Sequence, residues 1–267
     1  MAEYCLTAEE VLYLAAVAGA DMFYGVPDTL SGLSDQELKL TVVEMEESLG
    51  QKGYLQEDFD GNRNVLPKLA KMIEHCGNCE RFVCFEKAQI GEPQYSCMYF
   101  MSGLETYKME CGQTQYTLSE VERSAVRKEI EEGVTVKETV QEAGDVFFVS
   151  REELEKAAVL ARRGSADKGV ELLRNAGAPD LTAQAVVNGI LNKSDFYALL
   201  FMDLGNEADP GYSVQFLSGE ALIVMEYDTE EDADRIKCSA IDGMELKGRL
   251  KAGLEKTGCI GETEQFI

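Results

Sequence analysis

The chain has 267 residues, with 49 Asp and Glu against 25 Lys and Arg, for a formal net charge of −24. That charge repels phosphate backbones and acidic lipid surfaces, and no run of Lys or Arg offsets it, so nucleic-acid and membrane-surface binding are disfavoured. The apolar fraction of 45% is that of a globular protein, yet no stretch reaches the roughly 18 apolar residues that span a bilayer, and a single histidine, His75, removes most histidine-based catalysis.

The opening MAEYCLTAEE lacks the basic and apolar regions of a signal peptide. Retention in the cytoplasm, with the eight cysteines as thiols, is expected. Residues 6–20 read as a helix capped by Thr7, with Glu10 completing a capping box. Residues 34–53 read as a second helix, capped by Ser34 with Glu37, with Leu38, Val42, Met45 and Leu49 as its stripe. A turn-rich segment follows, and residues 65–76 form a third, short helix.

The period then changes. Residues 81–89 read as a strand, and 95–103 with 104–112 as a hairpin around Ser102-Gly103. Residues 117–132 read as helix again, with Thr117 as cap and Glu120 closing another box. Helices are expected at 150–164, 165–177 and 181–193, a strand at 196–204, a hairpin over 212–228, a strand at 236–242 and a last helix at 243–256.

This order repeats, and so do some residues. At an offset of 116, Phe85, Phe100, Ser102, Gly103, Met109 and Glu110 meet Phe201, Phe216, Ser218, Gly219, Met225 and Glu226. Further upstream, Glu9-Glu10 meet Glu152-Glu153 at 143, so the first half carries extra residues around 21–64. An internal duplication is expected, with halves at 1–145 and 146–267 that form one compact unit. The fold class is α+β, with antiparallel sheet flanked by helices and a pseudo-two-fold relation between the halves.

Candidate chemistry is sparse. His75, Cys76, Cys79 and Cys84 offer four zinc-type ligands, but zinc sites of this kind use two separated pairs, and neighbours on a helix point apart. Cys76-x-x-Cys79 sits at a helix C-terminus, the wrong end for a redox thiol. Buried or turn cysteines are the expectation, with no metal and no cofactor. Asp58-x-Asp60-Gly61-Asn62 resembles the start of a calcium loop, but Arg63 and Leu69 stand where Gly and Glu are needed, which leaves a solvated turn. Asp228–Asp234 reads as an acidic loop. Phosphate-loop and nucleophile-elbow motifs are absent.

The strands are apolar without alternation over 97–101 and 198–202. Either helices cover both faces or one face meets a partner. Met and aromatic groups suit adaptable recognition of a helix.

The opening LTAEEVLYLAAVAG, the long helix running into Gly53-Tyr54-Leu55, the NVLPKLAKMI segment (64–73), and strands followed by a second half that echoes the first together resemble the EspG family of type VII secretion chaperones. The resemblance implies an α+β fold with quasi-two-fold symmetry and a bacterial cytoplasmic chaperone that binds the helical tip of a secretion substrate. The chain departs from the family in having one clear helix after its last strand. The expected function is therefore a non-catalytic adaptor for an apolar helical partner, with Met98, Phe100, Met101, Phe216 and Leu217 at the contact surface or just beneath it. Two alternatives remain open: an immunity-type or scaffold protein for a basic partner, and a metal-dependent regulator using the Cys/His set.

Overall fold

The computed structural model describes residues 2–20, 23–89, 94–136, 146–191, 194–206, 211–227 and 235–260. The Asp228–Asp234 run lies outside them. Two compact units are present. The first comprises Met1–Cys84, Ser96–Ala125 and Asp203–Asp209; the second comprises Phe85–Tyr95, Val126–Met202 and Pro210–Ile267.

In chain order the elements begin with β1 (Glu3–Leu6), α1 (Ala8–Val17), α2 (Asp35–Gln51), β2 (Leu55–Glu57), β3 (Arg63–Val65) and α3 (Pro67–Gly77). Next come β4 (Arg81–Gln89), β5 (Tyr95–Ser102), β6 (Glu105–Cys111), β7 (Tyr116–Glu120) and α4 (Arg123–Gly133). The remainder is β8 (Val146–Ser150), α5 (Arg151–Arg162), α6 (Ala166–Asn175), α7 (Asp180–Leu191), β9 (Asp195–Asp203), β10 (Tyr212–Ser218), β11 (Leu222–Tyr227), β12 (Arg235–Ala240) and α8 (Gly243–Lys256). Ten strands form an antiparallel sheet in the order β1-β7-β6-β5-β4-β9-β10-β11-β12-β8, and β2-β3 form a separate hairpin. The α+β class expected from the sequence is found.

Local chemistry sets most boundaries. Capping boxes start α1 at Thr7/Glu10, α2 at Ser34/Glu37 and α5 at Ser150/Glu153; each satisfies two backbone donors that the helix itself leaves unpaired. The β5–β6 hairpin closes at Gly103, whose φ of +53° is strained for a residue with a Cβ. At the supposed calcium loop, the Asp58 carboxylate accepts from the backbone N–H of Asp60 and Asn62 and from the Asn62 and Asn64 side chains. Its acceptors are committed to closing the β2–β3 turn.

One expected helix is corrected. Residues 116–120 are strand β7, and helix begins only at Arg123. Thr117 pairs with Cys5 on one side and Glu110 on the other. The Thr-x-x-Glu spacing imitates a capping box, but ladder hydrogen bonds on both sides decide the backbone. The two edge strands β1 and β8 are also absent from the sequence reading.

Similar rows of paired residues occur in the two units. Tyr4, Leu118, Met109 and Met98 form a cross-strand row in the first unit. Phe147, Cys238, Met225 and Gln215 form the matching row in the second. The caps Thr7 and Ser150 follow the paired strands β1 and β8 at the same offset of 143. Phe85 and Phe201 are likewise equivalent: each faces a helix glycine, Gly133 of α4 or Gly253 of α8, where an added Cβ would come within 2.8 Å or 2.4 Å of the ring.

One identity is displaced. Phe100 pairs with Tyr107, whose counterpart at offset 116 is Ile223, and Ile223 pairs with Leu217. Leu217 is therefore the equivalent of Phe100, and Phe216 is the equivalent of Tyr99. A one-residue slip puts a side chain on the other face of a strand, so Phe100 and Phe216 occupy opposite faces of their repeats.

Candidate functional site

In the second unit, α5, α6 and α7 pack on one face of β8, β10, β11 and β12. Small residues permit the close approach. A Cβ on Gly169 of α6 would lie 3.0 Å from the Ala157 carbonyl of α5, and one on Gly189 of α7 would lie 2.8 Å from Leu217 Cδ2. Phe216 stacks on Tyr197 with centroids 4.7 Å apart. Tyr197 shares its strand face with Phe201, which meets α8 at Gly253. Thus α7 lies over Leu217 and α8 lies on the opposite face of the same strands.

Among the described residues the α7 face is not filled. A groove of about 400 Å³ opens between α5 and α7 over the sheet. Its walls are Leu154 and Ala158 of α5 and Val186 and Ile190 of α7, above Leu217, Ile223, Met225 and Cys238. The volume falls in the range of ligand and peptide-anchor pockets. The lining is almost wholly apolar. Burial pushes the Cys238 thiol up to about 12, so it stays neutral and unreactive. Glu155 at the edge is held by Arg151 at 3.0 Å, and Asn188 donates to Glu220 at 2.9 Å. The chemistry on offer is apolar burial, about 1.5–3 kcal/mol per large aliphatic or aromatic side chain inserted.

The internal repeat explains why the groove is open here. In the first unit the space over Phe100, the equivalent of Leu217, is occupied. The Phe23 ring lies 5.4 Å from that of Phe100, and Tyr24 lies 5.4 Å from Phe82. Gly25, with φ +76°, leaves room for the Met98 sulfur where a Cβ would sit 1.8 Å from it. This Phe23–Val26 segment belongs to the long connection between α1 and α2. The corresponding link from α5 to α6 is only Arg163–Ser165, and among the described residues no segment takes the place of Phe23–Val26 in the second unit. The sequence signals this as extra length in the first half, but length alone does not say which space it fills.

Of the five expected contact residues, all are buried: Met98, Phe100, Met101 and Phe216 almost completely, and Leu217 to 9% exposure at the groove floor. Only Leu217 lines the groove. Sequence reasoning misses Leu154, Ile190, Ile223 and Met225; they lie on two helices and one strand, and no sequence spacing joins them.

The Cys/His set does not converge on a ligand. His75 Nδ1 is 3.3 Å from Glu105 Oε2, and its ring meets Tyr107 edge-on at 4.8 Å. Burial lowers the His75 pKa, opposed by Glu105. The Cys76 thiol is fully buried and pushed well up by desolvation, and Cys79 is pushed up to about 11 for the same reason. Both are protonated at neutral pH, the opposite of what a metal or redox thiolate needs. Among the described residues, no group of three His, Cys, Asp or Glu side chains is placed to hold a metal ion. Nor is any helix among them long and apolar enough to cross a membrane.

No protein-family model matches the chain, and no curated protein matches it significantly in sequence. Comparison of folds gives matches among solved structures. One is the type VII secretion system chaperone EspG5 of Mycobacterium tuberculosis, solved in complex with the PE25–PPE41 dimer. It superimposes with a TM-score of 0.54 over 96% of this chain and 97% of that chain, at 12% identity. At that identity the match establishes architecture, and over nearly its whole length this chain has the fold of a type VII secretion chaperone.

Proposed function

We propose that the protein is a non-catalytic bacterial chaperone or adaptor that holds an apolar helical segment of a secreted partner in the cytoplasm. The observation that carries the reading is the unfilled apolar groove between α5 and α7 in a chain with a chaperone's fold. An amphipathic helix presents apolar side chains at i, i+3 and i+4, and two or three such residues suit a groove of this size. The polar groups at the groove are few: Glu155 (paired with Arg151), Gln89, Ser194 and the neutral Cys238 thiol.

In this reading Leu154, Ile190, Leu217, Ile223 and Met225 touch the partner, and Phe216 supports the groove floor from the opposite face. Met98 and Phe100 are the first unit's counterpart, covered in the free chain, and contact through them would need displacement of Phe23–Val26; Met101, next to Phe100 in its strand, faces the other way. The acidic surface keeps the protein soluble while the groove waits for its guest. The halves 1–145 and 146–267 would then be duplicates, one with its groove self-filled and the other open.

The test is co-expression with helical-hairpin proteins encoded beside it, followed by affinity purification. A stoichiometric complex is expected. If none of those proteins is retained, the reading fails.

A further inference from the structure

Among the described residues the sheet ends in two edge strands, β1 and β8, each paired on one side only. Edge strands carry a row of backbone donors and acceptors pointing out of the sheet, and proteins ordinarily block them. β1 is blocked. The outward N–H of Cys5 donates to Tyr54 Oη at 3.1 Å, and its outward carbonyl accepts from Lys52 Nζ at 3.1 Å. Both caps come from the stretch just after α2.

The residue of β8 equivalent to Cys5 is Phe148, because Tyr4 and Leu6 correspond in register to Phe147 and Val149. The direction of its backbone is fixed independently. Two residues on, the N–H of Ser150 leaves the sheet to reach Glu153 at 2.9 Å, and residues two apart in a strand point the same way. Among the described residues no side chain caps the outward N–H and C=O of Phe148. No second Tyr-Lys pair follows α6, the equivalent of α2, where the link to α7 is Ala176-Gly177-Ala178-Pro179. The exposed side chain beside it is apolar, Val146 at 49%, and Phe148 is itself held under the Arg235 guanidinium at 4.3 Å.

We propose that β8 is a strand-addition site, at which an extended segment of a partner protein pairs with Val146–Ser150 and continues the sheet beyond it. The chemistry of the edge selects the occupant. Outward groups on alternate residues, about 6.8 Å apart, are matched by another extended backbone and not by a helix, whose amides are already paired. A second copy of this chain is disfavoured by charge, since two bodies of −24 each repel on approach. The segment should therefore come from a different chain, neutral or basic, with β-branched residues to lie beside Val146 and Phe148. This site is separate from the groove and stands whether or not the groove binds a helix.

The probe is the blocked peptide Lys-Val-Thr-Val-Thr-Val-Lys, titrated into the 15N-labelled full chain. Its amide shifts should centre on Phe148 and its β12 partner Lys237, with new exchange protection at the Phe148 N–H. The same peptide N-methylated at alternate residues should bind about tenfold more weakly or not at all, as expected for two lost backbone hydrogen bonds. Val146→Pro should weaken the unmodified peptide similarly, because proline is tolerated at the first residue of an edge strand yet removes an outward donor. Absence of shifts at Phe148, or equal binding of the N-methylated peptide, overturns the proposal. So does a concentration-dependent dimer whose interface maps to β8, which would make the occupant a second copy. Should Val146→Pro fail to fold, the N-methylated peptide still decides the matter.

Discussion

Gly248 and Gly253 lie on the same helix, α8, yet substitution of each by alanine should change stability in opposite directions. Gly in a helix interior costs about 1 kcal/mol relative to Ala, so propensity alone makes both changes stabilising. At Gly248 nothing lies within 4 Å of an added Cβ, and the residue is exposed; Gly248→Ala should gain the full ~1 kcal/mol. At Gly253 the new Cβ would lie 2.4, 2.5 and 2.7 Å from Cδ2, Cε2 and Cγ of Phe201. That ring is fully buried, so it cannot swing aside into solvent. Overpacking of a rigid core costs about 1–3 kcal/mol, and contact with the body of the ring argues for the upper part of that range. Less the helix gain, Gly253→Ala should lose about 1–2 kcal/mol. Urea unfolding followed by circular dichroism gives both values from midpoint and slope. If Gly253→Ala is as stabilising as Gly248→Ala, α8 does not pack on the Phe201 ring in this way. The repeat-equivalent Gly133→Ala, at 2.8 Å from Phe85, should also destabilise, and by less.

Three further outcomes are expected. Lys52→Met takes the cation from the Glu10 carboxylate, 1% exposed and paired with Lys52 at 2.6 Å, leaving it the Thr7 N–H and Ser48 hydroxyl as donors, and should cost about 1.5–3 kcal/mol in urea unfolding, against far less for the exposed Lys128→Met. Burial holds the His75 pKa below its ordinary 6.5; the unfolded chain therefore binds the proton first, and the stability of wild type relative to His75→Phe should be flat well above pH 6.5 and decline as pH falls through it. Thr7→Ala and Ser150→Ala, equivalent caps in the two repeats, should each cost about 1 kcal/mol and add when combined.

Much of the fold is legible in the sequence because the signals are local. Thr7, Ser34 and Ser150 sit at helix starts with their Glu partners in place, and the strands around Phe85, Phe100, Phe201 and Phe216 are too rich in aromatic and branched residues to read otherwise. The failures are also physical. β1 and β8 are too short for periodicity to show. β7 imitates a helix start because Thr117 and Glu120 happen to have the spacing of a capping box, while the partners that make it a strand, Cys5 and Glu110, are remote in sequence. The match of Phe100 with Phe216 is one residue out of register, which residue identity cannot detect and strand pairing can. The groove is invisible in the sequence for a deeper reason. It is a difference between the two units: Phe23 packs on Phe100 in one, and among the described residues no such segment covers Leu217 in the other.

If a helical partner binds in the groove of the second unit, a single charge placed there should abolish the complex. The decisive experiment is calorimetric titration of a partner recovered by co-purification into wild type and into Met225→Glu. Met225 is half-buried and lines the groove, so the variant should fold normally while placing a carboxylate where apolar side chains must enter. Wild type should bind saturably and one-to-one with a negative heat-capacity change, as apolar burial requires, and Met225→Glu should not bind. Undiminished binding by a folded Met225→Glu protein would mean that the partner is held elsewhere.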